Sequence, residues 1–288
     1  MSGAAGLPGP QRLRAALAQA ARDRLPVQAI GAANAMAARI GADAGFGALW
    51  VSGLEVSTVC GLPDENVLGP RDLADVVLSL RRVSDLPVIV DVDNAAGTSP
   101  AAARYAFDLA SAGAAAMCLE DSAYPKCNSF SEHRAQGLAP VPTVREQIKE
   151  VKATRPELLL IARTEALICG AALEEALSRA EEYTAAGADA VLIHSKDTTG
   201  GEALDAAARW TRAPLVTVPT AFPHLGRAAL GRAGFHLAIY ANQLSRAALA
   251  AMRNAAESFR TTGAFRPDSL ADVQDLLRVA DPDARACL

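Results

Sequence analysis

The chain has 288 residues, 51% hydrophobic and 21% charged, with a formal net charge of −4. That is apolar material for one large core and too little charge for wholesale disorder, and it leaves no basic footprint for nucleic acid. No apolar run reaches the roughly 18 residues that would suggest a membrane-crossing helix.

In chain order, Met1–Pro10 is rich in Gly, Ala and Pro and lacks the charged and then apolar regions of a secretory leader. Residues 1–24 therefore read as a tail and a helix. Short apolar runs follow near 27–32, 48–52, 88–93, 115–120, 158–163, 190–194, 215–218 and 236–240, eight candidate strands. Four of these runs come directly after Ala-Gly, at Gly45, Gly113, Gly187 and Gly234, where glycine suits the left-handed end of a helix. Two follow a proline, at Pro87 and Pro214, which is tolerated as a strand begins. Helical periodicity fills the gaps, for example over 143–153 and 172–186. Continuous apolar strands alternating with helices mean a parallel sheet covered by helices, and eight such units favour an (α/β)8 TIM barrel. The barrel is expected over 25–265, with a helical tail over 266–288 that includes a helix near 268–279. Neither a GxGxxG turn after the first strand nor a GxxxxGK[ST] loop is present, so an open dinucleotide-binding sheet is disfavoured. The five cysteines, Cys60, Cys118, Cys127, Cys169 and Cys287, fit no zinc spacing and point to a reducing, cytoplasmic compartment.

Barrels place catalytic groups at the C-terminal ends of their strands. Read there, the sequence offers Ser52, then Asp91 and Asp93, then Glu120, then Arg163 and Glu165, then His194 and Ser195, on five consecutive strands. Asp91 and Asp93 share a strand face, and Glu120 ends the next strand. Three carboxylates together repel unless a cation or proton intervenes, and oxygen ligands favour a hard ion such as Mg²⁺. Taken alone, Asp-x-Asp is equally a cap for a following helix or turn. Arg163 and His194 suit an anionic substrate group, though Arg163 also sits within reach of a rim salt bridge to Glu165 and His194 could be a core histidine. His133, His224 and His236 have weaker contexts. The long polar stretch 121–142, with Lys126, Cys127, Asn128 and Ser129, leaves the same rim and is a candidate lid.

The segments Trp50-Val-Ser-Gly-Leu54, Asp91-Val-Asp93, Leu119-Glu-Asp121, Pro125-Lys-Cys-Asn-Ser129, Ile161-Ala-Arg-Thr-Glu165 and Ile193-His-Ser-Lys196, in this order, resemble the isocitrate lyase/phosphoenolpyruvate mutase superfamily. The likeness runs from about residue 27 to 262 and is nearest to the phosphoenolpyruvate mutase and phosphonopyruvate hydrolase branch. It implies a barrel whose eighth helix is swapped between subunits of a homotetramer. It implies Mg²⁺ at Asp91, with Asp93 and Glu120 holding it largely through water. It makes Ser52, Gly53 and Leu54 the segment that grips the substrate, and Arg163 and His194 anion-binding groups. Asp64 then stands beside the migrating phosphoryl group, Lys126 and Asn128 belong to a gating loop, and Ser129 is a further substrate-binding residue. The implied reaction is the interconversion of phosphoenolpyruvate and phosphonopyruvate, with hydrolysis of phosphonopyruvate as the alternative.

Asn128 matches the mutase pattern, where the hydrolase has Thr, whereas 62–68 and 219–223 look more like the hydrolase. Three departures touch the rim. Asn94-Ala-Ala-Gly-Thr98 stands for the family's Thr-Gly-(Tyr/Phe)-Gly-Asn, Ser122 stands for a Lys, and Gly31-Ala-Ala-Asn34 lacks a His. Cys127 raises a carbon–carbon lyase acting on a 2-hydroxy di- or tricarboxylate, but the lyase Gly-His after it is missing. Cys127 is then expected to be an exposed thiol without a role. The non-enzymatic alternative is a barrel that binds an anionic metabolite without turnover.

Overall fold

Eight parallel strands close into a barrel in strict sequence order in the computed structural model, which describes residues 7–128 and 136–281. The strands are β1 (Val27–Gly31), β2 (Ala48–Val51), β3 (Val88–Asp91), β4 (Ala116–Glu120), β5 (Leu159–Thr164), β6 (Ala190–Ile193), β7 (Leu215–Thr217) and β8 (Phe235–Tyr240). Each lies on a run expected from the apolar pattern. The helices are α1 (Gly9–Asp23), α2 (Ala35–Asp43), α3 (Gly53–Cys60), α4 (Pro70–Arg81), α5 (Ser99–Ala112), α6 (Val141–Thr154), α7 (Leu173–Ala186), α8 (Gly201–Arg209), α9 (Arg227–Ala233), α10 (Gln243–Thr262) and α11 (Val273–Ala280). The four Ala-Gly glycines all take positive φ, which ends each helix and turns the chain into the next strand.

Strand residues alternate between two apolar environments. Ile30, Leu49, Val51, Val88, Val90, Met117 and Leu119 pack outward against α2, α4, α5 and α6. Ala29, Ala48, Trp50, Ile89, Ala116, Cys118, Leu159, Ile161, Ala190, Leu192, Val216, Leu237 and Ile239 point inward, and Leu13, Leu17 and Ala20 of α1 join that cluster from one end. The inward set is a ladder with a period of two, as a barrel interior requires.

The C-terminal segment departs from expectation. The helix expected over 268–279 is a 3-10 turn at Pro267–Ser269 and a separate α11, which begins after Asp272 accepts a bond from the Gln274 amide. α11 rests on α2. α10 has no buried side chain along its 20 residues, and Leu249, Met252 and Phe259 stand exposed on it.

Ser52-Gly-Leu-Glu55 has the spacing of a reciprocal helix cap. Only half of it forms: Ser52 Oγ accepts from the Glu55 amide at 3.4 Å. The Glu55 carboxylate turns instead to the first turn of α10, where it accepts a short bond from Ser245 Oγ. Its Oε2 has no hydrogen-bond partner among the described residues. It lies against Gly31, where any side chain would overlap both Glu55 Oε2 and the Ala241 carbonyl. Burial pushes the Glu55 carboxyl up to about 7, with Ser245 pulling the other way. Its folded pKa exceeds the unfolded value of about 4.3, so the proton stabilises the fold. That stabilisation is complete below the unfolded pKa and is lost as pH rises through about 7. Thermal melts of the protein and of Glu55→Gln should therefore diverge between pH 5 and 8.5, the variant gaining on the order of 3 kcal/mol at most. Parallel curves would show that Glu55 does not titrate in this window.

Candidate active site

Extending the inward ladder by one rung builds the site. Two residues beyond Trp50, Ile89, Cys118, Ile161, Leu192, Val216 and Ile239 stand Ser52, Asp91, Glu120, Arg163, His194, Val218 and Ala241, and all seven line one cavity. On β1 the same rung is Gly31, which has no room for a side chain. Leu54 of α3 and Asp64, Lys126, Cys127 and Asn128 from the loops above also line it.

Arg163 is the hub of the β4–β6 side. Its Nη1 lies 3.6 Å from Asp91 Oδ2 and 3.5 Å from Glu120 Oε2. Its Nε makes a short ion pair with Glu165, so the rim bridge exists alongside the cavity-facing contacts. His194 Nδ1 sits 2.7 Å from Glu165 Oε1 and 2.9 Å from Arg163 Nη2. A proton on Nδ1 suits Glu165; a bare Nδ1 suits Arg163. Burial opposes the Glu165 charge, but Arg163 and His194 outweigh it and hold this carboxyl below the usual range. Glu165 is thus the buried anchor that aims both groups, a role sequence position alone did not reveal.

Lys126 governs the other side. Its Nζ lies 2.8 Å from Asp64 Oδ1 and 2.5 Å from Asp93 Oδ1. Asn128 Nδ2 donates to Asp64 Oδ2 at 2.5 Å. Asp93 is not among the cavity-lining residues; it faces Lys126. Burial disfavours the lysine charge, yet the surrounding Asp93, Glu120, Asp64 and Asp91 raise its pKa. Burial pushes Asp93 up to about 6 against the pull of Lys126, and Glu120 up to about 8 against the pull of Arg163. Asp91 is raised for the same reason.

The donor set fits a hydrated hard cation. Five carboxylates, Asp64, Asp91, Asp93, Glu120 and Glu165, face two full cations, Lys126 and Arg163. Among the described residues no three acidic, His or Cys side chains converge on one point for direct coordination. Mg²⁺ binds through one or two carboxylates and keeps several waters, so a shared excess of carboxylate suits it better than a closed cage.

Other residues were placed differently from expectation, or were missed. Cys127 is buried and lines the cavity, contrary to an exposed thiol. Ser195 turns away, its Oγ donating to Glu202 at 2.5 Å. His236 Nδ1 accepts from the Leu215 amide at 3.1 Å, a structural role. Ser129, His133 and Cys287 lie outside the described residues, as does the middle of the candidate lid. Asp121 is fully buried and takes bonds from Thr164, the Glu165 amide and Tyr183, tying the top of β4 to β5. Trp50 Nε1, Thr220 Oγ1 and Asn242 Oδ1 belong to cavity-lining residues and have no hydrogen-bond partner among the described residues. The period-of-two ladder could have pointed to Trp50 and Thr220.

Comparison with known proteins places this chain in a family. Residues 16–260 match the family model described as phosphoenolpyruvate phosphomutase. A phosphoenolpyruvate phosphomutase of Streptomyces hygroscopicus is 39% identical over 241 residues, 81% of this chain and 76% of that one. A phosphonopyruvate hydrolase of Variovorax sp. (strain Pal2) is 36% identical over 244 residues, 83% of each chain. The solved complex of a phosphonopyruvate hydrolase with oxalate and Mg²⁺ superposes with a TM-score of 0.87 at 32% identity, covering 97% of this chain and 96% of that one.

Asp93, Ala95, Ala96 and Gly97 have φ of 50°, 47°, 55° and 69°. A left-handed backbone costs a residue with a side chain roughly 1–2 kcal/mol, against about 0.5–1 kcal/mol of extra chain entropy for glycine. Ala96→Gly should therefore stabilise the protein by about 0.5–1 kcal/mol, a rise of about 1–3 °C by calorimetry. A lowered melting temperature would mean that the Ala96 methyl contributes more packing than its backbone costs.

Proposed function

The chain belongs to the phosphoenolpyruvate phosphomutase family, and from that premise we propose that it is an enzyme interconverting phosphoenolpyruvate and phosphonopyruvate, a step that forms carbon–phosphorus bonds for phosphonate biosynthesis. The observation that carries this reading is the contact of Asn128 with Asp64, beside the Lys126 bridge from Asp64 to Asp93.

The chain's own groups divide the work. The first turn of α3, at Ser52-Gly53-Leu54, offers backbone donors to an anionic end of the substrate. Arg163, aimed by Glu165 and paired with His194, faces the oxygen on which enolate charge grows as the carbon–phosphorus bond breaks. A Mg²⁺ held by Asp91, with Asp93 and Glu120 acting through water, would offset that same charge. A phosphoryl group in transit is loose and metaphosphate-like, so holding its two ends matters more than covalent help. Asp64 is the carboxylate proposed beside it, and Lys126 and Asn128 mask its charge so that an anion can approach. Asn128 and the buried Cys127 also keep water from the phosphorus, which would divert transfer into hydrolysis.

Hydrolysis of phosphonopyruvate to pyruvate and phosphate is the second reading, supported by the Variovorax relative and by the 62–68 segment. The lyase reading lacks support from the loop, where Lys126-Cys127 leads into Asn128. Assembly as a homotetramer with α10 swapped between subunits is supported by the absence of any buried side chain along that helix. None of the described helices is long and apolar enough to cross a membrane, and the scattered cysteines favour a cytoplasmic setting.

Product-coupled spectrophotometry with phosphonopyruvate and Mg²⁺ tests the reading. Lactate dehydrogenase and NADH report pyruvate directly; adding pyruvate kinase and ADP reports phosphoenolpyruvate. The proposal expects NADH loss only with the kinase present, and loss with the dehydrogenase alone would establish the hydrolase. Asn128→Thr should slow phosphoenolpyruvate formation about tenfold or more and raise the pyruvate share. An unaltered product ratio would remove Asn128 from the mechanism.

A further inference from the structure

Two departures from the family pattern, Asn94 and Ser122, prove to be each other's partners. Asn94 is 1% exposed, and its Nδ2 donates to the Ser122 carbonyl and to Ser122 Oγ, each at 3.3 Å. A carbonyl only accepts, so the orientation of the Asn94 amide is fixed. Its Oδ1 then faces Asn66 Nδ2 at 3.1 Å and accepts from it. Asn66 is fixed likewise, because its Oδ1 accepts from the Lys126 backbone amide at 2.7 Å. At the other end, Ser122 Oγ has a lone pair occupied by Asn94, which leaves its proton for Glu120 Oε1, 2.6 Å away. Gln147 Nε2 of α6 donates to the Asn94 carbonyl at 2.9 Å and pins the residue from behind.

Four hydrogen bonds thus run head to tail, from the Lys126 amide through Asn66, Asn94 and Ser122 to Glu120. Every donor points toward the carboxylate, the arrangement in which neighbouring bonds polarise and strengthen one another. Lys126 holds Asp64 and Asp93 with its side chain while its own backbone begins this relay. With Oε1 occupied by Ser122, the other carboxylate oxygen of Glu120, Oε2, lies 3.5 Å from Arg163 in the cavity.

We infer that Asn66, Asn94 and Ser122 are positioning residues that couple the seating of Lys126 to the aim of Glu120 at the cation site. The inference rests on the cation reading of the site and not on which bond the enzyme breaks. Groups that orient metal ligands from behind typically change metal affinity 10- to 100-fold when removed. Reciprocity requires that whatever disturbs the Lys126 end also changes cation affinity at the Glu120 end.

Mn²⁺ is a paramagnetic stand-in for Mg²⁺, and its binding to the purified protein can be read by electron paramagnetic resonance without any turnover. Ser122→Ala removes the last donor with little change of volume. Asn66→Asp keeps the acceptor for Lys126 and the local backbone, but it cannot donate to Asn94. An added negative charge alone would tighten Mn²⁺ binding, whereas a broken relay weakens it. Both variants should bind Mn²⁺ about tenfold more weakly with melting temperatures near that of the parent, and Ser122→Thr, which keeps the hydroxyl, should restore most of the affinity. Parental or tighter binding by Asn66→Asp would overturn the coupling, even if Ser122→Ala were weakened. If the parent protein itself bound no Mn²⁺, the cation site and the relay's purpose would fall together, and the product assays would still decide the reaction.

Discussion

Everything at the mouth of this barrel answers to one electrostatic imbalance: five carboxylates gathered around Lys126 and Arg163. Left alone, such a group either binds protons or pulls in a cation, and burial, more than mutual repulsion, raises the pKa of Asp91, Asp93 and Glu120 against the pull of Arg163 and Lys126. Glu165 is the exception because Arg163 and His194 already pay its desolvation. The two basic residues divide the cluster between them. Arg163 serves the strand ends, and Lys126, arriving from a loop, spans Asp64 and Asp93. A loop that brings its own counter-charge is held by the site it covers.

The barrel makes that crowding possible. One ladder of inward side chains rises on every strand, apolar below, and on β2 to β6 the next rung is polar. The apolar rungs fix the register, since a slip by one residue would turn each polar end group toward the helices. The same packing that stabilises the fold therefore turns Ser52, Asp91, Glu120, Arg163 and His194 into one cavity. On β1 the rung is Gly31, and the space above it is taken by the Glu55 carboxylate, which links α3 to the root of α10.

What was legible in the sequence follows from range. Strands and helix ends rest on local signals, short continuous apolar runs with Ala-Gly or Pro before most of them, and these runs located all eight strands. The site residues at strand ends were legible because topology alone carries them to one rim. Contacts between distant segments were not. Nothing local told that Glu55 would abandon its cap for Ser245, 190 residues on. Nor did the departures at Asn94 and Ser122 announce that they compensate each other. Each looked like a loss until the fold placed them in one hydrogen-bonded chain. A cysteine in a polar loop is ordinarily exposed, whereas here the Lys126 ion pairs draw its neighbour Cys127 inward. The helix over 268–279 was overdrawn because its amphipathic pattern continues through a stretch where Asp272 restarts it.

In the proposed function, this acidic mouth uses a divalent cation to move phosphorus between carbon and oxygen while excluding water. Phosphorus-31 NMR of the protein incubated with phosphonopyruvate, with Mg²⁺ and then with the ion chelated, tests it most directly. The account predicts conversion of the phosphonate resonance to that of phosphoenolpyruvate only when Mg²⁺ is present, without orthophosphate. Growth of orthophosphate, or a phosphonate signal unchanged in the presence of Mg²⁺, would contradict it.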